Sequence, residues 1–141
     1  MHKPVIGRQE HVSLPEWGIA NVEAKIDTGA RTSAIHVEGV HRVNDNHVQF
    51  YVVTRRGDPG DRVHVEAELR RITRVRSSTG HQQERYVVST MVRIGKHRRR
   101  IEMSLVRRER MSCRMLLGRR ALEGFVVDVT RKHVHKKKIR R

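Results

Sequence analysis

The chain has few of the residues that several protein classes require. One cysteine, Cys113, stands in 141 residues, so an internal disulfide framework is excluded. Aromatic residues account for 4% of the chain, which is too few for a platform that stacks nucleic-acid bases. No apolar run approaches the length of a membrane span, and residues 1–4 lack the apolar stretch of a signal peptide. A cytoplasmic protein without membrane contact is therefore expected.

Recognisable cofactor motifs are also missing. The ten histidines are scattered and form no His-Glu-x-x-His pair, whereas zinc takes three or four ligands at recognisable spacing. Gly95-Lys96 lacks the upstream glycine and the following hydroxyl residue of a phosphate-binding loop. The sequence carries no zinc-finger or RNA-recognition signature. It thus predicts neither a metal nor an organic cofactor.

Positive charge dominates the residues that are present. Lys and Arg number 31 against 15 Asp and Glu, which gives a formal net charge of +16. Such a field attracts polyanions, whether nucleic acid, the ribosome or acidic peptides. A chain of 141 residues is one domain by size. Residues 129–141 form a basic run with little to bury, and we expect a flexible, solvated tail there.

Short β-strands separated by turns are the main structural pattern. Alternating apolar and polar residues predict half-buried strands at 19–26, 47–53 and 63–69. Pro59 and two glycines separate the last two strands and predict a hairpin over 47–69. Further elements are expected as strands at 34–37, 72–76, 86–94 and 100–106 and as a short helix at 119–123. The predicted fold class is mainly β, a closed barrel with one short C-terminal helix.

One carboxylate stands where the strand 19–26 ends, in the sequence Lys25-Ile26-Asp27-Thr28-Gly29-Ala30-Arg31-Thr32-Ser33-Ala34. Gly29 tolerates a crowded backbone conformation, and Thr28 places a hydroxyl beside the acid. Asp-Thr-Gly-Ala after a strand resembles the active-site turn of the retropepsin-type aspartic peptidases. For this tetrapeptide alone, an ordinary strand-ending turn is the simpler interpretation.

A later segment shifts that balance. Met115-Leu116-Leu117-Gly118-Arg119 is an apolar run that ends in glycine. Aspartic peptidases pair their Asp turn with a hydrophobic-hydrophobic-Gly segment, which lies behind the turn and supports its backbone. The order is the same in this chain, with the Asp turn first, Leu-Leu-Gly late and mostly strands between. Together the two segments favour the aspartic-peptidase fold.

Four separated blocks of the chain occur in an order that is specific to one family: residues 7–19, 24–36, 76–81 with 84–88, and 111–122. They resemble the ATP-dependent zinc proteases, which are retropepsin-like proteins often associated with ATP-grasp glutamate ligases. The resemblance covers most of residues 6–128 and implies a single retropepsin-like domain over residues 1–128. The chain departs from the family at its end, where the basic tail replaces the usual Val-Asp-Pro segment.

The resemblance also implies the roles of individual residues. Asp27, Thr28 and Gly29 would form the catalytic turn, with Leu117 and Gly118 supporting it from behind. An aspartic peptidase needs two carboxylates that share a proton. This chain offers one such turn, so the resemblance implies a homodimer with one Asp27 from each subunit. The rest of the motif is expected to contact the substrate through Ala30, Arg31, Thr32 and Ser33.

Substrate and partners are implied in the same way. The link to ATP-grasp glutamate ligases implies such a ligase as a partner, and a peptide or protein substrate with a glutamate-rich or glutamylated tail. The zinc and ATP of the family's name find no matching ligand motif. Residues 54–62 occupy the place of a retropepsin flap, although a plain exposed hairpin fits equally well. Two other interpretations stay open: a non-catalytic basic module for ribosome or RNA, and a structural partner of the ligase.

Overall fold

Strands make up most of the structure, a computed structural model that describes residues 2–54, 61–76 and 78–135. Their bounds are β1 Val5–Gly7, β2 Gln9–Leu14, β3 Ile19–Ile26, β4 Ser33–Arg42, β5 His47–Val53, β6 Arg62–Arg76, β7 Gln82–Ile94, β8 His97–Val106, β9 Met115–Leu117 and β10 Val126–Asp128. A 3-10 turn, Pro15–Trp17, connects β2 to β3, and a single helical turn, α1, spans Arg119–Leu122. The prediction of a mainly β protein with one short helix is confirmed.

One large sheet contains eight of the described strands, in the order β2-β3-β9-β4-β5-β6-β7-β8. Two additional pairings, β2 with β7 and β4 with β8, connect strands that are far apart in this order. β1 and β10 pair in parallel as a separate two-stranded sheet. This topology brings β9 between β3 and β4, so the strand before the Asp turn and the strand after it both contact the Leu-Leu-Gly segment.

The predicted hairpin over 47–69 is confirmed, since β5 and β6 pair from His47 with Glu68 to Val53 with Arg62. The backbone N–H of Thr54 donates to the Asp61 carbonyl at 3.0 Å and closes the loop. Residues 55–60 of the flap predicted at 54–62 lie outside the described residues. The separate strand predicted at 72–76 is wrong, because β6 continues through it with only a register shift between Leu69 and Arg71.

The apolar faces of these strands form one core. Its fully buried side chains include Phe50, Ile35, Met103 and Met115. Trp17 packs edge-on against Phe50, with ring centroids 5.3 Å apart. The Asp turn lies at the edge of this core, because Ile26 is buried and Asp27 is only half-buried.

Residues 129–135, the described part of the expected solvated tail, differ from that expectation because they pack against the start of the chain. The buried carboxylate of Glu10 accepts backbone N–H groups from Gly7 at 2.7 Å, Val134 at 3.0 Å and His135 at 3.1 Å. The N–H of His133 also donates to the Gln9 carbonyl at 2.9 Å. A buried charge is costly unless it is hydrogen-bonded. The hydrogen bonds that the Glu10 carboxylate accepts therefore explain why the basic C-terminal segment packs at this position.

We predict that Glu10→Gln loosens this docking. The amide keeps the shape of the side chain but turns one acceptor into a donor that faces backbone N–H groups. Hydrogen bonds to a charged group contribute about 1.5–3 kcal/mol, so the free energy of unfolding in urea should fall by about 2–3 kcal/mol. The control is Glu68→Gln on an exposed site, which should stay within about 0.5 kcal/mol of wild type. Equal effects of the two changes would contradict the role of Glu10.

Candidate active site

Asp27 directly follows β3, on a turn that backbone hydrogen bonds hold in place. The Gly29 N–H donates to Oδ1 of Asp27 at 3.0 Å, and the Ala30 N–H donates to the Asp27 carbonyl at 3.2 Å. The N–H of Asp27 itself donates to the Leu117 carbonyl at 2.9 Å. The carboxylate is therefore oriented by its own turn and by β9, while the residue stays half-exposed.

The Leu-Leu-Gly segment lies directly behind this turn. Ile26 is the register partner of Leu117 in the parallel pairing of β3 with β9. The N–H of Gly118 donates to the buried hydroxyl of Ser33 at 3.1 Å. A Cβ on Gly118 would lie 2.5 Å from the carbonyl oxygen of Thr32, which is closer than non-bonded atoms approach. Only glycine therefore lets the two segments meet.

The start of α1 adds a second support that was not identified from the sequence. The backbone N–H of Arg119 donates to the Ala30 carbonyl at 2.8 Å, and its guanidinium donates to the Thr28 carbonyl at 3.1 Å. The N–H of Arg120 reaches the Arg31 carbonyl at 3.3 Å. The sequence signal for this support is the arginine that follows Gly118. It becomes informative once α1 is known to begin beside the Asp turn.

The residues predicted to contact substrate fall into two groups. Arg31 and Thr32 are exposed and Ala30 is half-exposed, together with the exposed Thr28 and Gly29 of the turn. Ser33 differs, since it is buried and its hydroxyl accepts the Gly118 N–H. The structure thus places Ser33 in support of the turn rather than on an accessible surface.

A cavity of about 380 Å³ lies where β4, β7 and β8 meet, and Arg85, Arg107 and Arg108 are among its lining residues. Burial lowers the pKa of the Arg85 guanidinium, and the neighbouring Arg108 charge lowers it further. Arg107 is 3.2 Å from the Glu109 carboxylate, whereas Arg85 and Arg108 have no such partner among the ion pairs of the described residues. The lining also includes Glu38 and Glu84, which lie 2.6 Å from Arg62 and 3.9 Å from Arg74. Because these two carboxylates have cations of their own, Arg85 and Arg108 favour binding of an acidic group.

His36 fixes the loop that carries Arg108. It is buried, and its Nδ1 accepts the backbone N–H of Arg108 at 3.0 Å. Burial and, to a lesser degree, the nearby Arg114 charge lower the pKa of His36, so the neutral ring prevails. Because Nδ1 is the acceptor, the ring proton belongs on Nε2, which lies 3.6 Å from the Glu38 carboxylate.

His11, Glu23 and His133 form a cluster whose ligand atoms lie within 4.8 Å of one another. The expectation that all histidines are scattered is wrong here, because β2 places His11 opposite Glu23 and the docked C-terminal segment adds His133. Two imidazoles and a carboxylate are ligands that zinc accepts. However, the two rings stack at a centroid distance of 4.2 Å with an interplanar angle of 13°.

An imidazole lone pair lies in the plane of its ring, so two parallel rings do not direct their nitrogens at one ion. Glu23 instead holds His133 by a 2.7 Å contact to Nε2 and lies 3.5 Å from Nδ1 of His11. This arrangement suits a hydrogen-bonded clasp for the C-terminal segment better than a zinc site. The described residues otherwise contain no cluster of three potential ligands.

A β domain in which a single Asp turn rests on a Leu-Leu-Gly strand defines a protein of the aspartic-peptidase type. The chain belongs to the RimB-like family, described as retropepsin-like aspartic endopeptidase RimB, whose family model matches residues 5–138. The resemblance drawn from the four sequence blocks is confirmed at this level. The similar proteins do not support the dependence on zinc and ATP that the name ATP-dependent zinc proteases implies.

Curated relatives carry a different name. A probable alpha-L-glutamate ligase of Desulfotalea psychrophila (strain LSv54 / DSM 12343) is 34% identical over 130 residues, which cover 89% of this chain and 28% of the relative. One from Shewanella halifaxensis (strain HAW-EB4) is 31% identical over 126 residues, which cover 87% of this chain and 28% of the relative. The chain thus spans little more than a quarter of the length of the curated relatives it matches.

A solved structure shares the fold. The crystal structure of a protein of unknown function from Legionella pneumophila subsp. pneumophila str. Philadelphia 1 superposes with a TM-score of 0.79 and 23% identity, covering 96% of this chain and 100% of that one. At this identity the likeness supports the fold alone. Within the described part of the chain, no helix has the length and hydropathy needed to cross a membrane.

We predict that Gly118→Ala disrupts the turn. The added methyl group would meet three backbone atoms of Thr32, which cannot rotate away, so unfolding should become easier by about 3 kcal/mol. Gly18→Ala is the control, since it has a positive φ but open space around a Cβ, and should cost only about 1 kcal/mol. Thermal or urea unfolding gives both values. A Gly118 variant no less stable than the Gly18 variant would show that the close approach is unimportant.

We also predict that the protein works without zinc. Purified chain should contain far less than one zinc per molecule, and dialysis against EDTA should leave its β-sheet circular dichroism unchanged, because the Glu23–His133 contact and the stacking of His11 on His133, rather than an ion, hold this cluster. Metal analysis by plasma mass spectrometry checks this. One tightly held zinc per chain that disappears in His11→Ala would contradict it.

Proposed function

We propose that the chain is a homodimeric retropepsin-like aspartic endopeptidase in which one Asp27 from each subunit activates water for peptide-bond hydrolysis. The observation that carries this proposal is the Asp27 turn, whose carboxylate is held by the Gly29 N–H and by β9 yet stays half-exposed. The additional pairings of β2 with β7 and of β4 with β8 support a closed retropepsin-like barrel as the frame of this site.

The chemistry follows from placing two such carboxylates side by side. Like charges at that distance cannot both ionise easily, so the pair shares one proton. The ionised member takes a proton from a bound water, which attacks the scissile carbonyl, while the protonated member polarises the carbonyl oxygen. Thr28 is exposed, and Arg119 holds its carbonyl, which leaves the hydroxyl to hydrogen-bond across the dimer.

An acidic substrate, such as a glutamate-rich or glutamylated protein tail, suits this site. The excess of 31 basic over 15 acidic residues attracts such a tail at long range. At short range, Arg85 and Arg108 offer guanidinium groups to substrate carboxylates at the cavity, whose own Glu38 and Glu84 pair with Arg62 and Arg74. The names of the curated relatives support an ATP-grasp glutamate ligase as the enzyme that makes the substrate or associates with this chain.

A second candidate function is a non-catalytic partner domain of such a ligase. The observation that favours it is the name of the curated relatives, which are ligases and of which this chain matches 28%. In that case the Asp27 turn would be structural, and the basic surface would bind a ligase, the ribosome or RNA. Removal of the ionisable group of Asp27 would then leave binding of the partner unchanged.

Asp27→Asn separates the two candidates. The amide keeps the shape of the side chain but removes the ionisable group, so hydrolysis of a peptide with a poly-glutamate tail should fall by at least about 100-fold to 10,000-fold. Circular dichroism and the sedimentation of the dimer should not change. Asp45→Asn, on a fully exposed side chain, is the matched control and should hydrolyse the peptide like wild type.

Mixed dimers test the shared site. A dimer of one wild-type and one Asp27→Asn chain has one carboxylate instead of two, so it should be nearly inactive. Purification through two different affinity tags isolates this species. Wild-type turnover by the mixed dimer, or by a monomer, would refute the shared dyad.

A further inference from the structure

A second basic cavity lies on a different part of the molecule from the Asp27 turn. Its volume is about 460 Å³, and it is bounded by β2, the start of β3 and the β7–β8 hairpin. Its lining includes Ser13, Asn21, Arg93, Lys96 and Arg98 and contains no carboxylate-bearing residue. Asn21 precedes Asp27 by six residues of extended chain, a separation of roughly 20 Å.

The positively charged side chains that line this cavity lie close to one another. Arg93 and Arg98 are direct cross-strand partners in the antiparallel pairing of β7 with β8, so their side chains leave the same face of the sheet a few ångströms apart. Like charges in such a position destabilise the pairing. Lys96, in the two-residue turn between these strands, adds a third positive charge to the lining. The arrangement costs free energy unless an anion occupies it.

Two neighbouring arginines on β8, by contrast, have partners within the protein. Arg100 forms an ion pair with Glu16, and Arg99 lies over the ring of Phe125 at 4.1 Å. No ion pair of the described residues includes Arg93, Lys96 or Arg98, which leaves their charges for a partner from outside. Arg93, Lys96 and Arg98 thus belong to the cations that the charge excess leaves without an acidic partner, and they differ from the others in lining one cavity together.

The backbone also turns a polar side chain toward this space. Asn21 has a φ of 59° and lies where the register of β2 with β3 shifts. Asparagine tolerates this left-handed conformation, and such a bulge re-aims the side chain of its strand. An amide and the Ser13 hydroxyl thereby join three cations around one concave surface, which is the donor set that an oxyanion requires.

We propose that this cavity binds phosphate groups of an RNA backbone. Its lining offers charge and hydrogen-bond donors but no tryptophan, tyrosine or phenylalanine, so it suits phosphate contacts rather than base stacking. A glutamate chain also carries repeated charge, but it is flexible and must be ordered on binding. A folded RNA helix presents its phosphates already fixed and neutralises several cations at once.

The test measures the affinity of the full chain for a fluorescein-labelled RNA stem–loop by anisotropy over a range of salt concentrations. Arg93→Gln/Arg98→Gln should lower the slope of log K against log salt by about two and weaken binding on the order of tenfold near 0.1 M salt. The control is Arg74→Gln/Arg76→Gln, on exposed β6 sites, which removes the same number of charges. It should change the slope by less than half of the change caused by Arg93→Gln/Arg98→Gln. Lys96→Gln, on the exposed turn, should lower it by about one.

Stability provides a second readout. Because Arg93 and Arg98 repel each other, their double glutamine variant without RNA should have a Tm equal to or above that of wild type. Asp27→Asn should bind the RNA like wild type, which separates this proposal from the proposed peptidase.

Three results would overturn the proposal. Equal losses in the cavity variant and the β6 variant would mean diffuse attraction by net charge. A loss of poly-glutamate binding with unchanged RNA binding would assign the cavity to acidic peptides. Saturable binding of inorganic phosphate that Arg93→Gln/Arg98→Gln abolishes, again with unchanged RNA binding, would assign it to free phosphate.

Discussion

The contact on which the candidate site depends is the hydrogen bond from the Asp27 N–H to the Leu117 carbonyl. It extends the parallel pairing of β3 with β9 by one residue beyond Ile26, so the carboxylate begins where a buried strand ends. Gly118 makes this approach possible, since any side chain there would collide with Thr32. Ser33 and α1 then satisfy the backbone groups that the close approach exposes. A rigid acid at a solvent-facing edge is the result.

The acidic side chains form structural contacts within the protein, whereas the excess basic side chains are available to binding partners. Glu10 and Glu23 hold the C-terminal segment, and Glu16 and Glu102 pair with Arg100 of β8 and Arg71 of β6. With 15 acids against 31 Lys and Arg, some cations have no internal partner. Four of them line two cavities, one with Arg85 and Arg108 and one with Arg93 and Arg98. We propose that the first pair contacts an acidic substrate and the second contacts RNA phosphates.

Local patterns predicted the strands and the Asp turn well, because alternation and turn residues act over a few positions. The bounds of β3 and β5 agree with those expected from alternation alone. Contacts between distant segments were not predictable in the same way. Neither the docking of His133 beside Glu23 nor the reach of Arg119 to the Thr28 carbonyl leaves a local pattern. The two strands expected at 63–69 and 72–76 are one strand, because pairing with β7 continues through residues 71–76 after a register shift.

A crystal structure of the protein in its solution assembly tests the central claim most directly. If Asp27 is one half of a catalytic pair, the two Asp27 carboxylates of a twofold dimer should lie within hydrogen-bonding distance, directly or through one water. The Thr28 side chains should then cross between the subunits beside them. A monomer, or a dimer that joins other surfaces and keeps the two acids far apart, would contradict the account.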